Sequence, residues 1–183
     1  MNDFLSMNVE NEVYDIVDSC DHVIGQATRK HIHGNKLLHR SIHILVFNSQ
    51  RKLFLQKRAL SKDESPGLWD TSSAGHVDTG ESYIDCAHRE LFEELGLKAV
   101  LSDLIRIPAC QETHGEHVQV YTCVTDDEIH LNQDEISEGA FYTISHIRKL
   151  ISLNPQEFTS SFKMLFDKLD EFENSIFLNK ITS

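Results

Sequence analysis

Prolines, cysteines, tryptophan and long apolar runs are all scarce in this 183-residue sequence, and each scarcity excludes a class of protein. No run approaches the roughly 20 apolar residues that a membrane helix needs. A soluble protein is therefore expected, with the cytoplasm as its default location and no membrane partner. Residues 1–10 carry neither a basic flank nor an apolar core, so no signal peptide is expected there. Three prolines, with 40% hydrophobic and 25% charged residues, exclude a disordered chain. The four cysteines, Cys20, Cys86, Cys110 and Cys123, are scattered without a C-x-x-C pair, which excludes a disulfide framework and a thiolate zinc site. Reduced, mostly packed thiols are expected. Positive charge is scarce too, with 17 Lys plus Arg against 29 Asp plus Glu and a net charge of −12. That balance counts against a binder of nucleic-acid polymers or of anionic lipid. A small anionic substrate would need a cation or a basic patch at its site.

The length suits one domain over 1–183, with a core at about 38–175. Residues 13–17 and 22–28 read as strands around the polar turn 18–21, an N-terminal hairpin over about 13–28. Residues 29–39, which contain Gly34 and Asn35, read as a loop. Strands are predicted at 41–47 and 53–58, and the segment 61–67 with Pro66 and Gly67 as a loop. From 82 to 95 the period becomes helical, with Ile84, Ala87, Leu91 and Leu95 on one face, Ser82 and Asp85 as a capping-box variant, and Gly96 as the stop. Strands at about 98–107 and 117–125, an acidic loop at 126–138, a strand at 140–142 and a helix near 144–152 follow. Pro155 is expected to start a last helix with the stripe Phe158, Phe162, Leu165, Leu169, Phe172 and Ile176, which suits core packing or a dimer contact.

Chemistry concentrates between Gly75 and Leu97. Glu90, Glu93 and Glu94 stand at i, i+3 and i+4, so a helix presents their carboxylates as one cluster. Three like charges need compensation, from Arg89 or from a hard divalent cation with oxygen ligands such as Mg2+. A solvated acidic face is the plain alternative. Nine positions fall on one fixed pattern: Gly75, Glu81, Arg89, Glu90, Leu91, Glu93, Glu94, Gly96 and Leu97. The 23-residue segment resembles the signature of the Nudix hydrolases.

That resemblance implies an α/β (α+β) Nudix fold, a mixed β-sheet sandwiched between α-helices, spanning about residues 10–175. It implies metal ligation by Glu90, Glu93 and Glu94 with the Gly75 carbonyl, and a structural role for Glu81 and Arg89. The cofactor implied is Mg2+, with Mn2+ as a substitute. The activity implied is metal-activated attack of water on a phosphoanhydride bond of a small diphosphate, a nucleoside diphosphate derivative by preference. Glu93 and Glu94 enter as catalytic candidates, and Glu135 and Glu138 as candidates for the general base, with Glu116 third; an exposed acidic loop is the alternative.

The stretches 38–41, 57–62, 66–70 and 75–76 resemble a narrower branch, the type I isopentenyl diphosphate isomerases and related uncharacterised Nudix hydrolases. Those isomerases use a cysteine just before the motif glycine, where this chain has Ala74, and a methyl group transfers no proton. The isomerase is thus the rival reading, with Cys86 and Cys123 too far along the chain to be assumed substitutes. A non-catalytic nucleotide-binding module is a further rival. His39 and His76 match isomerase metal ligands, with His31 or His33 less securely aligned; hydrogen-bonding histidines are the alternative. Arg40, Lys57 and Arg58 are candidates for phosphate contacts or for plain surface solvation, and Trp69 for base stacking or the core. Both a monomer and a homodimer fit the sequence.

Overall fold

The computed structural model describes residues 12–169 and Phe172. Strands β1 (Val13–Val17) and β2 (Val23–Thr28) pair antiparallel as a separate hairpin, as the sequence pattern requires. Its turn is clamped to the rest of the chain by charge. Asp21 accepts from Arg40 Nε at 2.6 Å, from Arg106 Nη2 at 2.5 Å and from the Tyr83 hydroxyl at 3.1 Å.

The segment read as a loop contains a short helix, α1 (Arg29–Asn35). Gly34 and Asn35 do not break it, because Ile32 is fully buried and the left-handed turn that ends the helix falls one residue later, at Lys36 (φ 53°).

The main sheet has the order β5-β4-β3-β8-β7, with β6 on β3 and β9 on β4. Its strands are β3 (His39–Phe47), β4 (Leu53–Arg58), β5 (Trp69–Asp70), β6 (Ser73–His76), β7 (Ser102–Ile107), β8 (Glu116–Val124) and β9 (Ile136–Tyr142). β3 runs parallel to β8 and antiparallel to β6 and β4, so the sheet is mixed. The side-chain period of two divides β3 cleanly. Leu45 and Phe47 join one core with Phe158, Phe162, Leu165 and Leu169. Ile42, Ile44 and Val46 face the other way, onto α2 (Tyr83–Leu95) and its Ala87, Leu91 and Leu95. Helices thus cover both faces of the sheet.

Two expectations shift by small amounts. Ile84 is 37% exposed and Cys86 takes its place on the buried face of α2. The last helix is broken: a 3-10 turn at Pro155–Glu157 gives way to extended Phe158, and α4 (Ser160–Leu169) begins two residues on. Thr159 causes the break, because its backbone N–H bonds Trp69 O and its hydroxyl bonds Asp70. Ile176 lies outside the described residues. Between β9 and this turn runs α3 (Ile144–Leu153). No helix among the described residues is long and apolar enough to cross a membrane.

Candidate active site

The loop from β6 into α2 is built around one guanidinium. Ser82 caps the helix by accepting from Asp85 N, and Gly96 in the left-handed region ends it. Arg89 reaches back across the helix start and donates to both carboxylate oxygens of Glu81, at 2.9 Å each, while Glu81 accepts from Asp78 N at 3.1 Å. The same side chain bonds Glu90 at 2.6 Å, Glu93 at 3.3 Å and the His76 carbonyl at 3.2 Å. One cation therefore closes the loop and offsets part of the repulsion among three carboxylates.

Glu90, Glu93 and Glu94 share a cavity of about 380 Å3 with Gly75 and Ala74. Glu94 is 5% exposed and accepts from Ala74 N at 3.1 Å and Gln56 Nε2 at 3.3 Å. The Glu90 carboxylate lies so close to Gly75 that a Cβ there would stand 2.1 Å from it. Glu93 is half exposed at the rim. Burial, with the negative charge of Glu94, pushes Glu90 up to about 8; burial pushes Glu94 up to about 7. Two neighbouring carboxylates drawn largely out of water, above a backbone pared to glycine, fit a hard divalent cation.

A pH dependence follows. Up to about pH 7 for Glu94 and about pH 8 for Glu90, the native state keeps protons that the unfolded chain releases above about pH 4.5, so stability without metal falls as pH rises through that window. Each tenfold difference in proton affinity between the two states is worth about 1.4 kcal/mol. His39, held down to about 4, acts in the opposite sense below about pH 6.5. The net fall is therefore cleanest from pH 6.5 to 8. Thermal melts in EDTA are expected to show Tm dropping over that interval, and saturating Mg2+ to remove the drop. A flat metal-free profile would contradict this account.

A second cluster adjoins the first. His33 comes from α1, His39 from β3, His76 from β6 and Glu116 from β8, with the register placing His39 beside Glu116. One ring nitrogen of each histidine lies within 4.8 Å of the others. His39 Nδ1 bonds the Leu37 carbonyl and His33 Nδ1 bonds Glu64, leaving both Nε2 atoms buried without a hydrogen-bond partner among the described residues, that of His39 3.6 Å from Glu116. Arg29 lies 3.1 Å from His76 Nδ1, and since arginine only donates, His76 Nε2 carries the proton it shares with Glu116 at 3.2 Å. Burial and the neighbouring His76 keep His39 neutral. The hydrogen bond from His33 holds Glu64 at about 2. Burial alone would raise Glu116, but the His76 bond and the adjacent imidazoles keep it well below the usual range. Bare imidazole nitrogens with carboxylates form a donor set for a borderline metal such as Zn2+ or Mn2+. A metal held there would take the place of the His76 proton. Tyr14 closes the cluster, its ring stacked 5.0 Å from that of His76.

Not every candidate faces the cavity. Arg58 lines it, paired with Asp70 at 3.6 Å, and so does Glu135, held by a hydrogen bond from Lys62. Arg40 lies on the opposite face of β3, bound to Asp21 and packed against Tyr83, away from the lining. Lys57 and Glu138 pair across β4 and β9 outside the lining; Glu138 sits on a strand because β9 begins at Ile136, not at 140. Trp69 packs edge-on against Tyr142 at 5.8 Å in the first core, under Lys57. His31 is bonded to Asn35 within α1. Arg29, Lys62, Glu64, Tyr14 and His43 line the cavity and were not singled out from sequence. His43 had a readable signal, the period-two spacing from His39.

Comparison with known proteins matches residues 37–162 to the NUDIX domain. An isopentenyl-diphosphate Delta-isomerase of Pectobacterium atrosepticum is 34% identical over 86% of this chain and 90% of its own. An uncharacterised Nudix hydrolase of Pseudomonas aeruginosa is 39% identical over 68% of this chain and 75% of its own. The crystal structure of DR0079 from Deinococcus radiodurans superposes with a TM-score of 0.70 at 26% identity, covering 91% of this chain and 99% of that one.

Proposed function

Because the chain belongs to the NUDIX domain family, we propose that it is a soluble, cytoplasmic, Mg2+-dependent hydrolase of a phosphoanhydride bond in a small diphosphate, a nucleoside diphosphate derivative by preference. The observation that carries this reading is the intact carboxylate array: half-buried Glu90 against Gly75, braced through Arg89 to Glu81, and buried Glu94 held by Ala74 N and Gln56. Glu90, Glu93, Glu94 and the Gly75 carbonyl would hold the metal. When bound, Mg2+ supplies positive charge that binds the diphosphate and offsets charge on the leaving group.

The chain's own residues do the rest. Arg58, Lys62 and Arg29 bring positive charge to a cavity otherwise rich in carboxylates and orient the phosphates. Glu135, at the cavity wall, takes the proton of the attacking water once a phosphate oxygen draws Lys62 away from it. The new bond joins water oxygen to phosphorus, the bridging P–O bond breaks, and two phosphate monoesters leave. Arg89 holds the ligating helix still throughout.

The test is a screen of nucleoside diphosphates and triphosphates, nucleotide sugars, dinucleotides and isoprenoid diphosphates, reading phosphate release and the point of cleavage. Mg2+-dependent cleavage of a hydroxylated diphosphate is expected; silence across the panel would sink the reading. A second reading, isopentenyl diphosphate isomerase, draws support from the His33, His39, His76 and Glu116 cluster. Ala74 opposes it. Incubation with isopentenyl diphosphate and analysis for dimethylallyl diphosphate separates the two.

A further inference from the structure

His43 is a buried imidazole that neither the carboxylate array nor the histidine cluster uses. It is 5% exposed, lies on the cavity face of β3 after Ser41, and stands opposite Ala74 in the ladder with β6. Its Nδ1 is 2.7 Å from Thr71 Oγ1, and the fully buried Thr71 hydroxyl donates onward to the Ser73 carbonyl at 3.3 Å. A hydroxyl has one proton to give. Given to Ser73, it leaves Thr71 to accept, so His43 Nδ1 carries the hydrogen and Nε2 is a bare lone pair. That nitrogen meets no hydrogen-bond partner among the described residues, and it is not sealed off: the residue opens onto the cavity.

A bare imidazole nitrogen repels phosphate oxygens, which are acceptors themselves, and Arg58 and Lys62 already offer the phosphates donors in the same cavity. An alkyl chain laid over it would leave a buried acceptor unpaired. We propose that His43 reads the non-phosphate part of the substrate, its Nε2 accepting a hydrogen bond from a hydroxyl or amino donor. The site thereby selects sugar- or nucleoside-bearing diphosphates over isoprenoid ones. Ala74, opposite His43 in the ladder, adds only a methyl group there. The inference rests on the hydrolase reading and narrows its substrate class.

Two variants separate the acceptor from the Thr71 bond. H43N keeps a donor near Nδ1 and removes the cavity acceptor, whereas H43Q places an amide near the Nε2 position. Turnover of ADP-ribose, UDP-glucose and isopentenyl diphosphate is compared for each protein. The unaltered chain is expected to favour the better hydroxylated substrate by about 100-fold in kcat/KM, below the roughly 10,000-fold or more by which a site built wholly around such bonds rejects an analogue lacking them. H43N should cut that ratio about tenfold by raising KM for the hydroxylated substrate, and H43Q should stay within about threefold of the unaltered protein. An unchanged ratio in H43N overturns the proposal.

A second readout needs no turnover. In 15N-histidine-labelled protein, with His43 assigned by the loss of its signal in H43Q, Nε2 should resonate as an unprotonated nitrogen. It should shift on adding ADP-ribose with Ca2+ in place of Mg2+, and stay put with isopentenyl diphosphate. A protonated Nε2, or no response to ADP-ribose, overturns the inference on its own. Absence of turnover with the spectral response intact would instead indict the hydrolase reading.

Discussion

Replacing Glu94 with Gln is expected to lower Mg2+-dependent turnover by roughly 1,000-fold or more while leaving the fold in place. The geometry explains both halves. The hydrogen bonds to Glu94 from Ala74 N and Gln56 Nε2 fall on one oxygen, Oε2. An amide oxygen takes that place without strain. The other half of the side chain changes from an anionic oxygen to an NH2, which repels a cation where the acid binds it. Burial pushes the Glu94 carboxyl up and disfavours its anion in the metal-free protein, so the substitution removes little that the metal-free fold uses. E94Q should therefore melt at the same or a higher temperature than the unaltered chain in EDTA at pH 8, and gain less from Mg2+. Full Mg2+-dependent activity in E94Q would overturn the ligand assignment. A large drop in Tm without metal would show that the acid supports the fold directly.

Much of this site was legible because it is local. The cap, the stop and the helical period from Ser82 to Gly96 are written in consecutive residues, and the brace from Arg89 to Glu81 lies within the same segment. What sequence left open depended on which face of a strand met which neighbour. Arg40 and His43 stand three apart on β3, so the period of two sends them to opposite faces: Arg40 to Asp21 and Tyr83, His43 to the cavity. Basic character alone could not separate them. The α1 segment was hidden by Gly34 and Asn35, which signal loops, while burial of Ile32 is a tertiary fact that no local pattern records. Arg29, at the first residue of that helix, was lost with it. Trp69 reads plainly only once Tyr142, far along the chain, is packed against it. Glu135 and Glu138, three apart in one acidic segment, part company because β9 begins at Ile136, between them.

Gly75→Ala is expected to abolish most turnover although it adds only one methyl group and removes no ligand atom. An ideal Cβ at Gly75 would lie 2.1 Å from both Cδ and Oε1 of Glu90, far inside contact distance. The backbone has little freedom to yield, because Gly75 is paired with Ile42 in the centre of the β3 and β6 ladder. The Glu90 carboxylate must therefore move, and its hydrogen bond from Arg89 at 2.6 Å moves with it. The expected loss is about 100-fold or more in kcat, with an apparent Mg2+ requirement raised about tenfold, comparable to disturbing the support of a metal ligand. A double-mutant cycle locates the cause. If the methyl acts by displacing Glu90, then G75A should cost little more in a chain that already carries E90Q, and the two losses should be far from additive. Additive losses would mean that Gly75 matters for some other reason, such as direct approach of a phosphate to its backbone. The cycle thus tests whether the glycine of the motif is required by the carboxylate it faces.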